Sequence, residues 1–203
     1  MTLKNNMAYL FLSGVRDCVK WRKRRYNSPS PHFIKQGCLI RNGWPAATWV
    51  ESGTFLGQTT QLLAKHGVKV FSVEPEPNLF ERACKLFSNH ANVEILNGTS
   101  EQVFPTLLLR ISGDVNFWLD GHYSEGITFK GPKDTPILDE LDCISRNIDR
   151  FGRICVLIDD IRCFNPRLPE FSTYPSLDSL VVWANSHGLD WHIEHDIFIA
   201  KTI

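Results

Sequence analysis

Val50-Glu51-Ser52-Gly53-Thr54-Phe55-Leu56-Gly57-Gln58-Thr59-Thr60, with Val73-Glu74-Pro75 further along, decides how this chain folds. An apolar run from Ala46 to Val50 stops at an acid, turns through two glycines and opens into the apolar-periodic segment Thr59 to His66. A second apolar run, Val68 to Val73, ends in another acid. Strand, glycine turn, helix, strand, acid is the order in which an open parallel sheet grips a nucleoside. The glycines admit the ligand to the backbone, and the second acid binds paired ribose hydroxyls.

Outward from this stretch, apolar runs and helical periods alternate. Strands are predicted near 46–51, 68–74, 92–96, 114–120 and 153–159, and helices near 58–66, 77–90, 100–110, 135–149 and 175–187. Thr135-Pro136 reads as an N-cap with proline at the first helical position, followed by Ile137, Leu138, Leu141 and Ile144 on one face. Five strand–helix units imply a parallel sheet with right-handed crossovers. The C-terminus breaks the alternation: Leu189 to Ile193 and Ile197 to Ala200 are separated only by Glu194-His195-Asp196. That gap permits a hairpin but no helical crossover, so the last strand enters antiparallel.

Residues 1–45 differ in character and are expected to form a helical cap or extension, with the sheet domain over 46–203. They carry the basic run Lys20-Trp21-Arg22-Lys23-Arg24-Arg25 and the breaker Ser28-Pro29-Ser30-Pro31. The run reads as a solvated helix face, with an anionic substrate or a membrane surface as competing readings. The chain has 203 residues, and its 22 basic and 22 acidic residues cancel, so no global field draws it to nucleic acid, which is not expected as a partner. Six cysteines (18, 38, 84, 143, 155 and 163) form no CxxC pair, which argues for a reducing compartment and against zinc. The apolar stretch Met7 to Val15 is too short to span a membrane and lacks the flanks of a signal peptide, so a cytoplasmic location is expected. A homodimer is left open.

A nicotinamide dehydrogenase would show G-x-G-x-x-G; here three residues separate Gly53 from Gly57, and an acid precedes them. A pyrophosphate wants uncharged backbone at the helix N-terminus, whereas Glu51 suits a cationic ligand such as the amino group and sulfonium of S-adenosylmethionine. Together with the terminal hairpin, this arrangement resembles the class I S-adenosylmethionine-dependent methyltransferases. That resemblance implies a Rossmann-like α/β fold: a seven-stranded, mostly parallel sheet in the order 3-2-1-4-5-7-6, its last strand antiparallel, with helices on both faces. The loop Glu51 to Thr59 is most similar to that of the catechol O-methyltransferase-like, cation-dependent group. By that resemblance Glu51, Ser52, Gly53, Thr54, Gly57 and Thr59 form the cofactor loop, Glu74 and Pro75 meet the ribose, and Thr99 and Ser100 lie against the adenine.

The same resemblance places Asp120, at the end of the fourth strand, and Asp159-Asp160, at the end of the fifth, where that group holds its divalent metal. Uncompensated, three such carboxylates would repel one another, and a hard cation such as Mg²⁺ would relieve them. Competing readings stand beside this one: Asp120 meets the methionine amino group, Asp159 caps a turn, and Arg162 neutralises Asp160 without metal. The catechol enzymes carry a lysine base three residues after the fourth-strand aspartate, where this chain has Tyr123, with His122 just before it. An imidazole titrates near neutrality, which makes His122 the first candidate base and Tyr123 the second. The glycine-bearing segment 124–134 reads as a lid or a surface loop. Asp-Gly-His-Tyr-Ser followed by Lys-Asp-Thr-Pro-Ile also resembles methyltransferase-like proteins of bacteria and their viruses. O-methylation of a small molecule or a glycan hydroxyl is the activity this implies. An NAD-type oxidoreductase and a non-catalytic S-adenosylmethionine-binding module are the alternatives. Trp44, just before the sheet, either joins the core or lines the substrate pocket.

Overall fold

The computed structural model of the chain describes residues 3–121 and 135–203. Seven strands, β1 (Thr48–Ser52), β2 (Lys69–Glu74), β3 (Val93–Asn97), β4 (Gly113–Leu119), β5 (Phe151–Ile158), β6 (Asp190–Glu194) and β7 (Ile197–Lys201), form one sheet in the order β3-β2-β1-β4-β5-β7-β6. β1 to β5 pair in parallel, and β7 runs antiparallel to both β5 and β6, as the short terminal gap required. The hairpin turns on two residues, because Glu194 still pairs with Ile197. His195 and Asp196 take positive φ angles of 50° and 69°, the backbone that matches strand twist in a two-residue hairpin.

Helices α3 (Gln58–His66), α4 (Pro77–Phe87), α5 (Ser100–Leu107), α6 (Ile137–Asn147) and α7 (Leu177–Ser186) follow the strands as the periodicity predicts. Two more, α1 (Leu3–Lys23) and α2 (His32–Asn42), precede the sheet. The start of α6 lies one residue later than Thr135-Pro136 predicts: Pro136 stands at the N-cap, with the Thr135 hydroxyl accepting from the Ile137 N–H at 3.4 Å.

Strand side chains alternate between two cores, which is why the strands read as continuous apolar runs. Val50, Phe117, Val156 and Phe198 pack with Phe104 of α5, Leu141 and Ile144 of α6 and Leu180 of α7. Trp49, Trp118, Leu157 and Ile199 face the other way, against Leu63 of α3 and Cys38 and Leu39 of α2. Trp44 does not line a pocket at the carboxyl edge. Its indole N–H donates to the Ile154 carbonyl near the start of β5 at 3.0 Å, and its ring lies between Arg153 and Lys201.

Candidate active site

The glycine loop crosses from β1 to α3 over the end of β2. The N–H groups of Gly53 and Thr54 both donate to the Val73 carbonyl, at 3.0 and 3.2 Å, and the Phe55 N–H donates to Glu74 Oε2 at 2.7 Å. Gly53 has φ +90°, and a Cβ there would sit 2.8 Å from the Asp120 carbonyl oxygen. Gly57 has φ +78°, and its Cβ would meet the Phe87 ring at 2.9 Å. Only glycine satisfies both the backbone and the space at Gly53.

Glu51 stands at the base of the loop, at the end of β1. The side chain is fully buried beneath the loop, where one oxygen accepts from the hydroxyls of Thr60 and Ser72, each at 2.5 Å. It ties α3, β1 and β2 together, while its other oxygen, Oε1, is buried with no hydrogen-bond partner among the described residues. Burial pushes its carboxyl up to about 7, against the pull of the Ser72 and Thr60 hydroxyls. Ser52 and Thr54 are also buried, and Thr54 shares a 2.6 Å hydrogen bond with Ser72. Thr59 lies in the first turn of α3.

Glu74 ends β2, with each carboxylate oxygen taking one backbone N–H: Phe55 on Oε2, and Glu76 on Oε1 at 3.0 Å. A carboxylate oxygen carries two acceptor sites, so one remains on each for a vicinal diol. Pro75 follows directly. Thr99 caps α5 in a reciprocal pair with Gln102, and Ser100 is buried. Next along the edge, the Asp120 N–H donates to the Ser52 carbonyl at 3.2 Å and the Asp159 N–H to the Leu119 carbonyl at 3.1 Å. The structure thus brings the loop, Glu74, Asp120 and Asp159 to one carboxyl edge. His122 and Tyr123, with the segment 124–134, lie outside the described residues.

The divalent-metal expectation does not fit the donor set. Lys35 of α2 places its ammonium 2.5 Å from Asp159 Oδ1 and 2.7 Å from Asp160 Oδ1. Arg162 pairs with Asp160 at 2.5 Å and also with Asp196. Asp159 and Asp160, two of the three carboxylates that a cation was to relieve, already share two cationic side chains. A divalent ion about 4 Å from the ammonium would meet a repulsion of roughly 8 kcal/mol at an effective dielectric of about 20. Among the described residues no group of three or more His, Cys, Asp or Glu side chains is placed to hold a metal. The two carboxylates push the Lys35 pKa up although burial opposes this, and burial pushes Asp159 up to about 6 although Lys35 opposes it.

Sequence reading missed two residues here, Lys35 and Glu140. Both are charged groups on an apolar stripe. Lys35 precedes Cys38 and Leu39 by three and four positions, and Glu140 falls on the Ile137, Leu141, Ile144 face, whereas Leu138 is exposed. An acid or base at i, i+3, i+4 spacing among core positions was the available signal. Glu140 Oε1 is buried without a hydrogen-bond partner, and Glu140 and Asp159 line one small cavity with Leu119, Gly121, Pro136 and Tyr174. Burial pushes the Glu140 carboxyl up to about 7, with Ser100 and Ser52 pulling the other way.

These raised carboxyls set a pH dependence. In the unfolded chain a glutamate ionises near its ordinary value, about 4.3. Between that pH and 7 the folded state holds protons that the unfolded state lacks, so folding is favoured as pH falls and disfavoured as it rises. Glu51 and Glu140 each contribute at most about 4 kcal/mol over this span, and Asp159 acts in the same direction. His32, lowered by burial and by Lys35, opposes them as pH falls. Thermal unfolding is therefore expected at a higher temperature at pH 6 than at pH 8, with Glu140→Gln flattening the difference. A Glu140→Gln profile as steep as the parent's would contradict this assignment.

Net neutrality conceals a segregation of charge. The first 45 residues hold nine basic residues and one acidic residue. The basic side chains at the end of α1 are exposed, so the expectation that charge excludes nucleic acid has no support in this distribution. No helix among the described residues is long and apolar enough to cross a membrane.

No family model matches the sequence, and no curated protein matches it. Solved structures resemble it in fold. The N-methyltransferase NodS from Bradyrhizobium japonicum superposes with a TM-score of 0.54 at 13% identity, over 83% of this chain and 93% of that one. An rRNA-methylase assigned as such from Clostridium thermocellum gives 0.53 at 12% identity, over 83% and 94%. The 23S rRNA methyltransferase ErmE gives 0.52 at 14% identity, over 86% and 68%. These neighbours act on different acceptors, and the catechol-type subgroup is not singled out among them. What the chain shares with them is the class I methyltransferase fold.

Proposed function

We propose that this chain binds S-adenosylmethionine at the carboxyl edge of the sheet and transfers its methyl group to a hydroxyl oxygen of a small molecule or glycan. The observation that carries the reading is the junction of loop and strand. Gly53 packs on the Asp120 backbone with no room for a side chain, while Glu74 stands at the end of the neighbouring strand with acceptor sites for a diol. The methyl donor, when bound, supplies an electrophilic carbon on sulfur. Glu74 holds the ribose, the loop backbone defines the cofactor's path, and Asp120 marks the donor's amino end. His122, two residues after Asp120, takes the acceptor's proton as its oxygen attacks, which general-base catalysis makes worth about 10²–10⁴-fold.

Calorimetry with S-adenosylhomocysteine tests the cofactor, with micromolar binding expected. Binding of NADH and none of S-adenosylhomocysteine would replace this reading by the oxidoreductase. His122→Ala is expected to keep the affinity and lose turnover by about 10²-fold or more. Equal turnover in parent and variant would remove His122 from the chemistry, and binding without any transfer would leave a cofactor-binding module.

A second reading of the acceptor, RNA, is favoured by one observation. Lys20, Arg24 and His32, with the single acid Asp17, line a cavity of about 300 Å³ between the end of α1 and the start of α2. Trp21 of α1 packs edge-on against His195 of the β6–β7 turn, at the same edge of the sheet as Asp159. RNA binding that weakens steeply with salt, and weakens further in Lys20→Ala/Arg24→Ala, would support this acceptor.

A further inference from the structure

We infer that the Lys35 ammonium is this chain's built-in replacement for a divalent cation at the end of β5, making Lys35 the residue that decides whether the carboxylate pair takes a metal. Lys35 comes from α2, 124 residues before Asp159, and its Nζ lies within 2.7 Å of one oxygen on each of two consecutive aspartates. Neither the helix nor the strand end brings this about alone. Cys38 and Leu39, on the same face of α2, are held in the core by Trp49 and Leu157, which aims Lys35 at the carboxyl edge.

The two aspartates are built to face one cation. Asp160 adopts φ +54°, a left-handed backbone that costs most residues but that aspartate tolerates, and its N–H donates to Asp159 Oδ1 at 2.7 Å. That turn points both Oδ1 atoms at the same ammonium. Two convergent carboxylate oxygens suit a hard cation. Lysine differs from a metal in being a single charge delivered by a side chain, with three donors in place of open coordination sites. An acceptor at this edge would therefore meet a hydrogen-bonding ammonium, not a Lewis acid, and α2 would be fastened over the acceptor side. Only this last consequence rests on the methyl-transfer reading; the exchange of lysine for metal does not.

The test uses Mn²⁺ as probe, followed by electron paramagnetic resonance and calorimetry, on the full chain, Lys35→Ala and Lys35→Ala/Asp159→Asn. The parent is expected to take up no Mn²⁺ at this place at millimolar concentration. Lys35→Ala is expected to bind one Mn²⁺ at least tenfold more tightly than the parent, and the added Asp159→Asn to remove that gain. Thermal unfolding of Lys35→Ala should shift upward with Mn²⁺ while the parent's does not, which remains readable if the variant is only marginally folded. A parent that binds Mn²⁺ through Asp159, or a folded Lys35→Ala that binds none and gains no stability from it, would overturn the inference. S-adenosylhomocysteine titrations of the same proteins report separately on the cofactor site.

Discussion

Alanine at position 53 is expected to weaken S-adenosylhomocysteine binding by about 100-fold or more while leaving the sheet intact, a loss of roughly 3 kcal/mol. Two costs combine. Gly53 has φ +90°, a region that costs a residue with a Cβ about 1–3 kcal/mol. The new carbon would also lie 2.8 Å from the Asp120 carbonyl oxygen, a backbone atom that cannot swing away as a side chain would. Relief requires either the loop to lift off Val73, breaking the Gly53 and Thr54 hydrogen bonds, or the ends of β1 and β4 to part. Either motion displaces Asp120 and the Phe55 N–H that positions Glu74. Gly57→Ala provides the comparison: with φ +78° it carries the same backbone cost, but its Cβ would meet side chains, Phe87 at 2.9 Å and Leu86 at 3.0 Å, in place of a backbone carbonyl, so about a tenfold loss is expected. Calorimetry with circular dichroism on both variants decides it. A folded Gly53→Ala with parental affinity would show that the cofactor does not lie on this loop.

The fold was legible because its evidence is local and repetitive. Each strand is an apolar run bounded by turn residues, and the separation of the last two runs alone excluded a crossover before β7. The cofactor-loop candidates were legible for a related reason: glycine spacing and a terminal acid are written in consecutive residues. What stayed hidden depends on partners distant in sequence. The ends of β4 and β5 read as an excess of carboxylates because the compensating ammonium belongs to Lys35, in a segment read only as a helical cap or extension. Only Arg162, two residues from Asp160, was near enough to be weighed. Glu51 illustrates the converse. Its type and position suggest a ligand contact, and what they do not convey is that Thr60 and Ser72, nine and 21 residues away, supply hydroxyls that hold one of its oxygens beneath the loop. Burial is the property a local pattern conveys least well for a charged residue, since the same letter serves in solvent or in a core.

Asn116→Leu is expected to cost about 4 kcal/mol of stability and lower the melting temperature by roughly 10 °C, an effect comparable with emptying part of the core. Asn116 is fully buried in the middle of β4, where an amide is out of place unless it is paired. Its Oδ1 accepts from the Trp44 N–H at 2.8 Å, and its Nδ2 donates to the Trp44 carbonyl at 2.9 Å. One side chain thus satisfies both backbone groups of Trp44 and fixes the segment joining α2 to β1. Leucine has nearly the same size but would leave the half-buried N–H and carbonyl of Trp44 unmet by the side chain that covers them, each costing up to about 1–3 kcal/mol. Asn116→Asp separates the two halves of this argument. It keeps the acceptor for the Trp44 N–H and sets a carboxylate against the Trp44 carbonyl, so its loss should be smaller at low pH, where a protonated oxygen can donate. Denaturant melts at pH 5 and pH 8 measure all three proteins. A leucine variant within about 1 kcal/mol of the parent would mean that water reaches Trp44 and that the N-terminal segment is held by α2 and Lys35 alone.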